Sequence, residues 1–450
     1  MNVQDFVNKV KKKEIDVVEH TENILKEATK INKDYGYFTV ISDKLALEQA
    51  KKIKKEPKGK LAGLPVSIKD CICVKGVESA AGSEILKGYK PTFNATAVQR
   101  LIDEGAIIIG KTSQDEFGFG GFSVNTKTIP KNPHDKTRSC GGSSGGAAGF
   151  TATTNFTHVA LAESTGGSIA NPASFCGVFG LTPTYGLVSR YGLIDYANSL
   201  DKIGVMSKNA EDSKVILDVI SGHDKRDSTS LSKDLVKDSK IKKIAIIKES
   251  LNVNKEIKDL ILSKVKDYDL ISLPITEKYA IPAYYIIATA EASTNLAKYS
   301  GFKYGQEEEL TGYYNEYFSK VRSKYFSKEA KRRIILGTFA RMAGFRNAYY
   351  LKAMKVRTLI INEYKKAFSK YDVILSPSMP ILAPRFSEIE KLTPLENYNM
   401  DKLTVGPNLA GLPHASINIG SMNNLPVGLM AIADYLNENK LFELNKIIKD

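Results

Sequence analysis

Apolar side chains set the first pattern in the chain. Phe6, Val7 and Val10, then Val17, Val18, Ile24 and Leu25, recur at helical spacing among Lys and Glu, which predicts helix over residues 2–31. A second helix is expected over 43–55, where Glu56-Pro57-Lys58-Gly59 ends it. Residues 64–68 are a short apolar run that reads as a strand. Thr96 is placed to cap a helix carrying Val98, Leu101 and Ile102 on one face, with Gly105 as its stop. The run 106–109 is apolar, rich in β-branched residues and bounded by glycines, which suits a buried strand. Strand, helix and strand in alternation argue for an α/β fold.

Beyond residue 113 the pattern changes. Residues 113–190 are rich in Gly, Ser, Thr and Asn, and an irregular stretch of that length is normally functional or disordered. Interspersed Val, Ile, Phe and Ala favour an ordered, functional site. A helix is expected over 211–220 and an exposed Lys- and Ser-rich connection over 222–240. A strand, helix and strand follow at 243–247, 255–265 and 270–273. Residues 286–366 read as mainly helical, and 373–375, 415–419 and 427–432 as late strands returning to the sheet. No internal repeat or low-complexity tract is visible.

Length allows one large α/β domain or two or three smaller ones, 450 residues in all. No apolar run approaches a bilayer span, and no charged leader with an apolar core opens the chain, so a cytoplasmic protein without an anchor is expected. The four cysteines, Cys71, Cys73, Cys140 and Cys176, are too few for a disulfide framework and read as reduced thiols. Cys71-Ile72-Cys73 has the wrong spacing for a zinc knuckle, and no metal site is expected. The net charge of +14 permits a polyanionic partner such as RNA. No RNA-binding motif accompanies it, and a solvated lysine-rich surface accounts for it equally well.

Three short segments carry candidate chemistry: Val66-Ser67-Ile68-Lys69-Asp70, Gly141-Gly142-Ser143-Ser144-Gly145-Gly146 and Ser164-Thr165-Gly166-Gly167-Ser168. A serine hydroxyl needs a base to act as a nucleophile at neutral pH. The five histidines, His20, His134, His158, His223 and His414, stand in no catalytic motif. Lys69 ends an apolar strand, where burial would disfavour the ammonium and leave an amine able to accept a proton. On pattern alone, an edge-strand lysine pointing into water is the stronger reading. The glycine-rich turn around Ser143 also reads as a flexible linker or a phosphate cradle, although no P-loop lysine follows. Ser168 stands just before Pro172, which suits the first turn of a helix. Backbone N–H groups from Thr165 to Ser168 there could hold an oxyanion, or Ser168 could simply be a cap.

Taken together and in this order, the segments resemble the amidase signature family. Gly63-Leu64-Pro65-Val66-Ser67-Ile68-Lys69-Asp70 is similar to its lysine motif, and Gly141–Gly146 and Thr165–Ser168 to its two serine motifs. Pro172-Ala173-Ser174-Phe175-Cys176-Gly177 continues the likeness, which is weaker over 222–280. Within the family the resemblance is greatest to the glutaminase subunits of tRNA-dependent amidotransferases. It rests on Pro183–Gly192, Ser199–Gly204, Ala290–Leu296, Lys331–Thr338 and Asn408–Pro413.

That resemblance implies a single domain over 1–450. A central mixed β-sheet would be covered by helices on both faces, with a helical segment over about 1–55 and a more variable subregion over about 222–330. It implies Ser168 as nucleophile, Ser143 (after a cis peptide) as proton relay and Lys69 as final base. Thr165, Gly166, Gly167 and Ser168 would form the oxyanion hole, and Tyr285, Arg333 and Asp401 the clamp on a substrate glutamine. This chain would bind no cofactor; ATP and Mg would be used by a partner. The implied partners are amidotransferase subunits B and C in a heterotrimer, with misacylated tRNA, Glu-tRNA(Gln) or Asp-tRNA(Asn) or both, reached through the complex. A free-standing amidase and a non-catalytic RNA-binding scaffold are the alternatives. The chain departs from the usual motif in three ways: Ser164 and Ala170 stand where relatives carry Asp and Arg, and the Ser143–Ser168 spacing is one residue longer.

Overall fold

The computed structural model describes residues 1–238 and 240–449. Its framework is one mixed sheet of eleven strands in the order β1-β3-β2-β4-β6-β5-β10-β11-β9-β7-β8. These are β1 (Phe38–Ile41), β2 (Pro65–Lys69), β3 (Ile107–Thr112), β4 (Val159–Ser164), β5 (Phe179–Thr182), β6 (Lys202–Ser207), β7 (Ile244–Ile247), β8 (Tyr268–Ile271), β9 (Val373–Pro377), β10 (His414–Met422) and β11 (Leu425–Ala433). β2 runs parallel to both neighbours, β3 and β4. β6 returns antiparallel to β4, pairing Glu163 with Ile203 and Ser164 with Lys202. β7 is parallel to β8 and β9, while β10 and β11 form an antiparallel pair between β5 and β9.

Successive residues of a strand face opposite sides of its sheet. Every residue of β2, β3, β4, β6, β9 and β11 is buried, so both faces are covered there. This is the α/β architecture expected from the alternating pattern. Ala46 and Ala50 on Asp43–Lys55 and Ile216, Leu217 and Ile220 on Ala210–Ile220 supply part of the covering layer.

Several local expectations need correction. The helix expected over 2–31 is two helices, Val3–Lys11 and Val17–Tyr35. They are separated by a turn with Lys13 at φ 62°, and Asp16 caps the second by accepting from Val18 and Glu19 N–H. β1 then interrupts the N-terminal helical segment. Thr96 does not cap its helix: it is the first helical residue, and its hydroxyl donates to Asp224. The stretch 113–190 is not irregular throughout, because it holds β4, β5 and the helices Gly145–Thr153 and Ala170–Cys176. The connection 222–240 is exposed as expected at His223, Lys225, Arg226 and Ser228 and in its later part, but buried acidic and hydroxyl side chains anchor its first half. Asp224, Asp227 and Ser230 are buried, and Asp227 accepts from Arg190 N–H at 2.8 Å. Ser239 lies outside the described residues.

Candidate active site

The three segments meet at the carboxyl ends of β2 and β4, where ligand sites of parallel sheets form. Lys69 is the last residue of β2, an interior strand, and its side chain is fully buried; the edge-lysine reading does not hold. Nζ donates to Ser143 Oγ at 2.8 Å, to the Glu163 carbonyl at 2.9 Å and to Glu163 Oε2 at 2.8 Å. Glu163, in the neighbouring strand, is a partner the sequence reading missed.

Ser143 follows a cis peptide after Gly142 and precedes the helix Gly145–Thr153. Asp115 holds this turn from below. Its N–H donates to the Ser143 carbonyl at 3.3 Å, and its carboxylate accepts from Ser123 N–H at 2.9 Å and Asn125 N–H at 2.8 Å. Gly142 has no room for a side chain, because a Cβ would come within 2.3 Å of Asp115 Oδ2. Burial pushes the Asp115 carboxyl up to about 6, and the two N–H donors offset part of that shift.

Ser168 lies just before the helix Ala170–Cys176 and is 7% exposed. The Gly121 carbonyl fastens its segment to that of Ser143, accepting from Gly142 N–H at 2.8 Å and from Asn171 Nδ2 at 2.7 Å. Among the described residues, Ser168 Oγ and the N–H groups of Gly166, Gly167 and Ser168 make no hydrogen bond. The turn therefore presents a hydroxyl beside unspent donors. Both glycines are dictated by packing: a Cβ at Gly166 would meet the Tyr284 hydroxyl at 2.6 Å, and one at Gly167 the Thr404 hydroxyl at 2.4 Å.

Ser164 is buried with its hydroxyl unpartnered among the described residues, and Ala170 is buried and apolar. Support for the turn comes from elsewhere. Asn408 Nδ2 donates to the Gly166 carbonyl and, at 3.0 Å, to the Thr404 carbonyl. The Thr165 hydroxyl lies 2.7 Å from Glu163 Oε1 and 2.8 Å from Asp201 Oδ1.

The three residues expected as the clamp, Tyr285, Arg333 and Asp401, lie together. Tyr285 donates its hydroxyl to Asp401 Oδ2 at 2.6 Å, whereas the neighbouring Tyr284 packs on Gly166. Arg333 is buried, and its guanidinium is ringed by Phe119, Tyr196, Tyr285 and Tyr398 with centroids 5.0–5.6 Å away. Nε donates to Glu329 at 2.8 Å and Nη1 to the Tyr196 hydroxyl at 2.5 Å, while Nη2 has no partner among the described residues. Arg332 is half-buried and pairs with Glu329. Burial raises the Asp401 carboxyl, and the Tyr285 hydrogen bond and Arg333 charge counter it.

No described group of His, Cys, Asp or Glu is arranged to hold a metal ion, and no described helix is long and apolar enough to cross a membrane. All four cysteines are buried and unbridged.

Residues 19–442 match the amidase family model. The chain is 44% identical to the glutamyl-tRNA(Gln) amidotransferase A subunit of Archaeoglobus fulgidus, over 91% of each chain. It is 45% identical to that of Methanosarcina mazei, over 96% of this chain and 92% of the relative. The crystal structure of the glutamyl-tRNA(Gln) amidotransferase A subunit from Thermotoga maritima superposes with a TM-score of 0.80 at 32% identity, covering 100% of this chain and 94% of that one. The chain belongs to the amidase family, among its members of the amidotransferase A-subunit type.

Proposed function

We propose that this chain hydrolyses glutamine and supplies the ammonia to a partner that amidates misacylated tRNA, turning Glu-tRNA(Gln) into Gln-tRNA(Gln). The observation that carries the chemistry is the buried Lys69–Ser143 hydrogen bond beside the Ser168 turn with its unspent N–H groups. In this reading the Ser168 proton passes to Ser143 as the Ser143 proton passes to Lys69, and Ser168 Oγ attacks the side-chain amide carbon. Backbone N–H groups from Thr165 to Ser168 hold the oxyanion. The proton returns through Ser143 to the amide nitrogen, ammonia leaves, and a glutamyl ester remains on Ser168. Water repeats the sequence and releases glutamate.

Recognition of glutamine rests on two opposite charges. Arg333 meets the α-carboxylate through its free Nη2 edge, and Asp401, oriented by Tyr285, meets the α-ammonium. A simple amide would leave both charges unanswered, which favours glutamine over a neutral substrate. No cofactor is assigned to this chain; ATP and Mg belong to the amidating partner. Assembly with subunits B and C is supported by an exposed apolar patch of Phe339, Met342, Phe345 and Tyr349, at and just beyond the end of the Arg333 helix. Ser168→Ala should abolish glutamine hydrolysis in the assembled complex while the complex still forms; full activity would overturn the assignment.

A further inference from the structure

A relay ending on Lys69 needs a lone pair on its amine, and the three neighbours of Nζ restrict when one is present. An ammonium spends its three protons on Ser143 Oγ, the Glu163 carbonyl and Glu163 Oε2. A neutral amine gives two protons to the Glu163 oxygens and turns its lone pair to the Ser143 hydroxyl. Protonation of Lys69 thus places a positive charge directly against Glu163.

The other Glu163 oxygen leads deeper. Oε1 lies 2.7 Å from Thr165 Oγ1, which lies 2.8 Å from Asp201 Oδ1. A hydroxyl has one proton and cannot donate it to two carboxylates. One of the two must therefore carry a proton of its own and donate it to Thr165. Among the described residues, Asp201 otherwise accepts only from backbone N–H groups, from Tyr196 at 2.9 Å and from Ala197 at 2.9 and 3.0 Å. The ionisable groups around it are Glu163 on β4, with Lys69 of β2 beyond, Tyr185 after β5, and Asp195 on its own loop, which pairs with Lys298. Burial first, and the Glu163 charge second, hold the Asp201 carboxyl well above the usual carboxylate range.

We propose that Glu163, Thr165 and Asp201 extend the relay by sharing one carboxylic-acid proton, which sits on Glu163 while Lys69 is neutral and on Asp201 once Lys69 is charged. As Ser143 gives its proton to Lys69, the Glu163 proton moves to Thr165 and the Thr165 proton moves to Asp201. The negative charge shifts from Asp201 to Glu163, beside the new ammonium, and the net charge of the site is unchanged. Every transfer reverses when Lys69 returns its proton. Glu163 and Asp201 act through Lys69, as positioning residues, and the inference rests on the assignment of Lys69 as base.

The test is the kcat–pH profile of glutamine hydrolysis by the complex. Glu163→Gln removes the anion, so kcat falls about tenfold or more and the acid limb moves to lower pH. Asp201→Asn keeps a contact to Thr165 but cannot take its proton, so Glu163 stays anionic. In that variant kcat also falls and the acid limb moves to higher pH. KM stays within about twofold in both, since neither touches substrate. Thr165→Val spares both carboxylates and cuts the path between them, so kcat falls there too. Limbs that do not move, or that move the same way in both carboxylate variants, overturn the inference, as does a wild-type profile in Thr165→Val. Ser168→Ala separates the two levels. If it is inactive while the profiles stay wild-type, only the extended relay fails; if it is active, the assignment of the site itself falls.

Discussion

Arg333 carries two of its guanidinium nitrogens on internal partners, Glu329 and Tyr196, and leaves the third free within a ring of aromatic side chains. A lysine there would keep the charge and lose the planar fork. Arg333→Lys should therefore raise KM for glutamine by about tenfold to a hundredfold, the equivalent of ~1.5–3 kcal/mol for a charge-assisted bond. Steady-state kinetics that moved kcat and left KM alone would place Arg333 in the chemical step instead. Asn408 serves a different purpose, since it touches the Gly166 carbonyl and not the substrate region. Asn408→Ala should lower kcat about tenfold or more with KM nearly unchanged, by loosening the turn whose N–H groups are proposed to hold the oxyanion. Residues within the three motifs were legible in the sequence because each motif is local. Glu163, Asp201, Tyr196 and Asn408 were not, because they reach the site through partners on other strands, helices or loops, at 94 residues for Glu163–Lys69, 137 for Tyr196–Arg333 and 242 for Asn408–Gly166. The Asp201–Thr165 contact, for example, follows from β6 pairing antiparallel with β4.

Elements around the site explain why its central stretch read as irregular. The helix Gly145–Thr153 is buried over most of its length and built largely from Gly, Ala and Thr, so it shows no polar face against which a helical period could be seen. β4 is buried on both sides and shows no alternation. His158, just before β4, joins these elements. Nε2 lies 3.0 Å from Ser67 Oγ on β2, and Nδ1 lies 3.4 Å from Thr151 Oγ1 on the helix. Burial lowers the His158 imidazole to about 3. The unfolded chain takes up that proton near pH 6.5 and the folded chain only near 3, so stability is lost as pH falls through this window. Acidification from pH 7 to pH 5 should cost about 2 kcal/mol through this group. In urea unfolding at the two pH values, His158→Gln should show a drop smaller by about that amount. An equal drop in both proteins would show that His158 does not set this pH dependence.

Across the whole molecule, the order of strands in the sheet is not their order in the chain. β10 (His414–Met422) pairs with β5 (Phe179–Thr182), and β9 (Val373–Pro377) is sandwiched between β11 and β7. Asp401 reaches the site from the C-terminal part to meet segments more than two hundred residues earlier. A fragment of residues 1–235 would expose the edge of β5 and lose Asn408, Thr404 and Asp401 from the site. It should be protease-sensitive or insoluble alone; a stably folded fragment would show two independent units. The central claim is covalent, and rapid-quench mass spectrometry of the complex mixed with glutamine tests it most directly. The predicted result is a transient gain of one glutamyl group on the peptide containing Ser168, absent from Ser168→Ala. An adduct on another residue, or glutamine hydrolysis by Ser168→Ala at the wild-type rate, would contradict that chemistry.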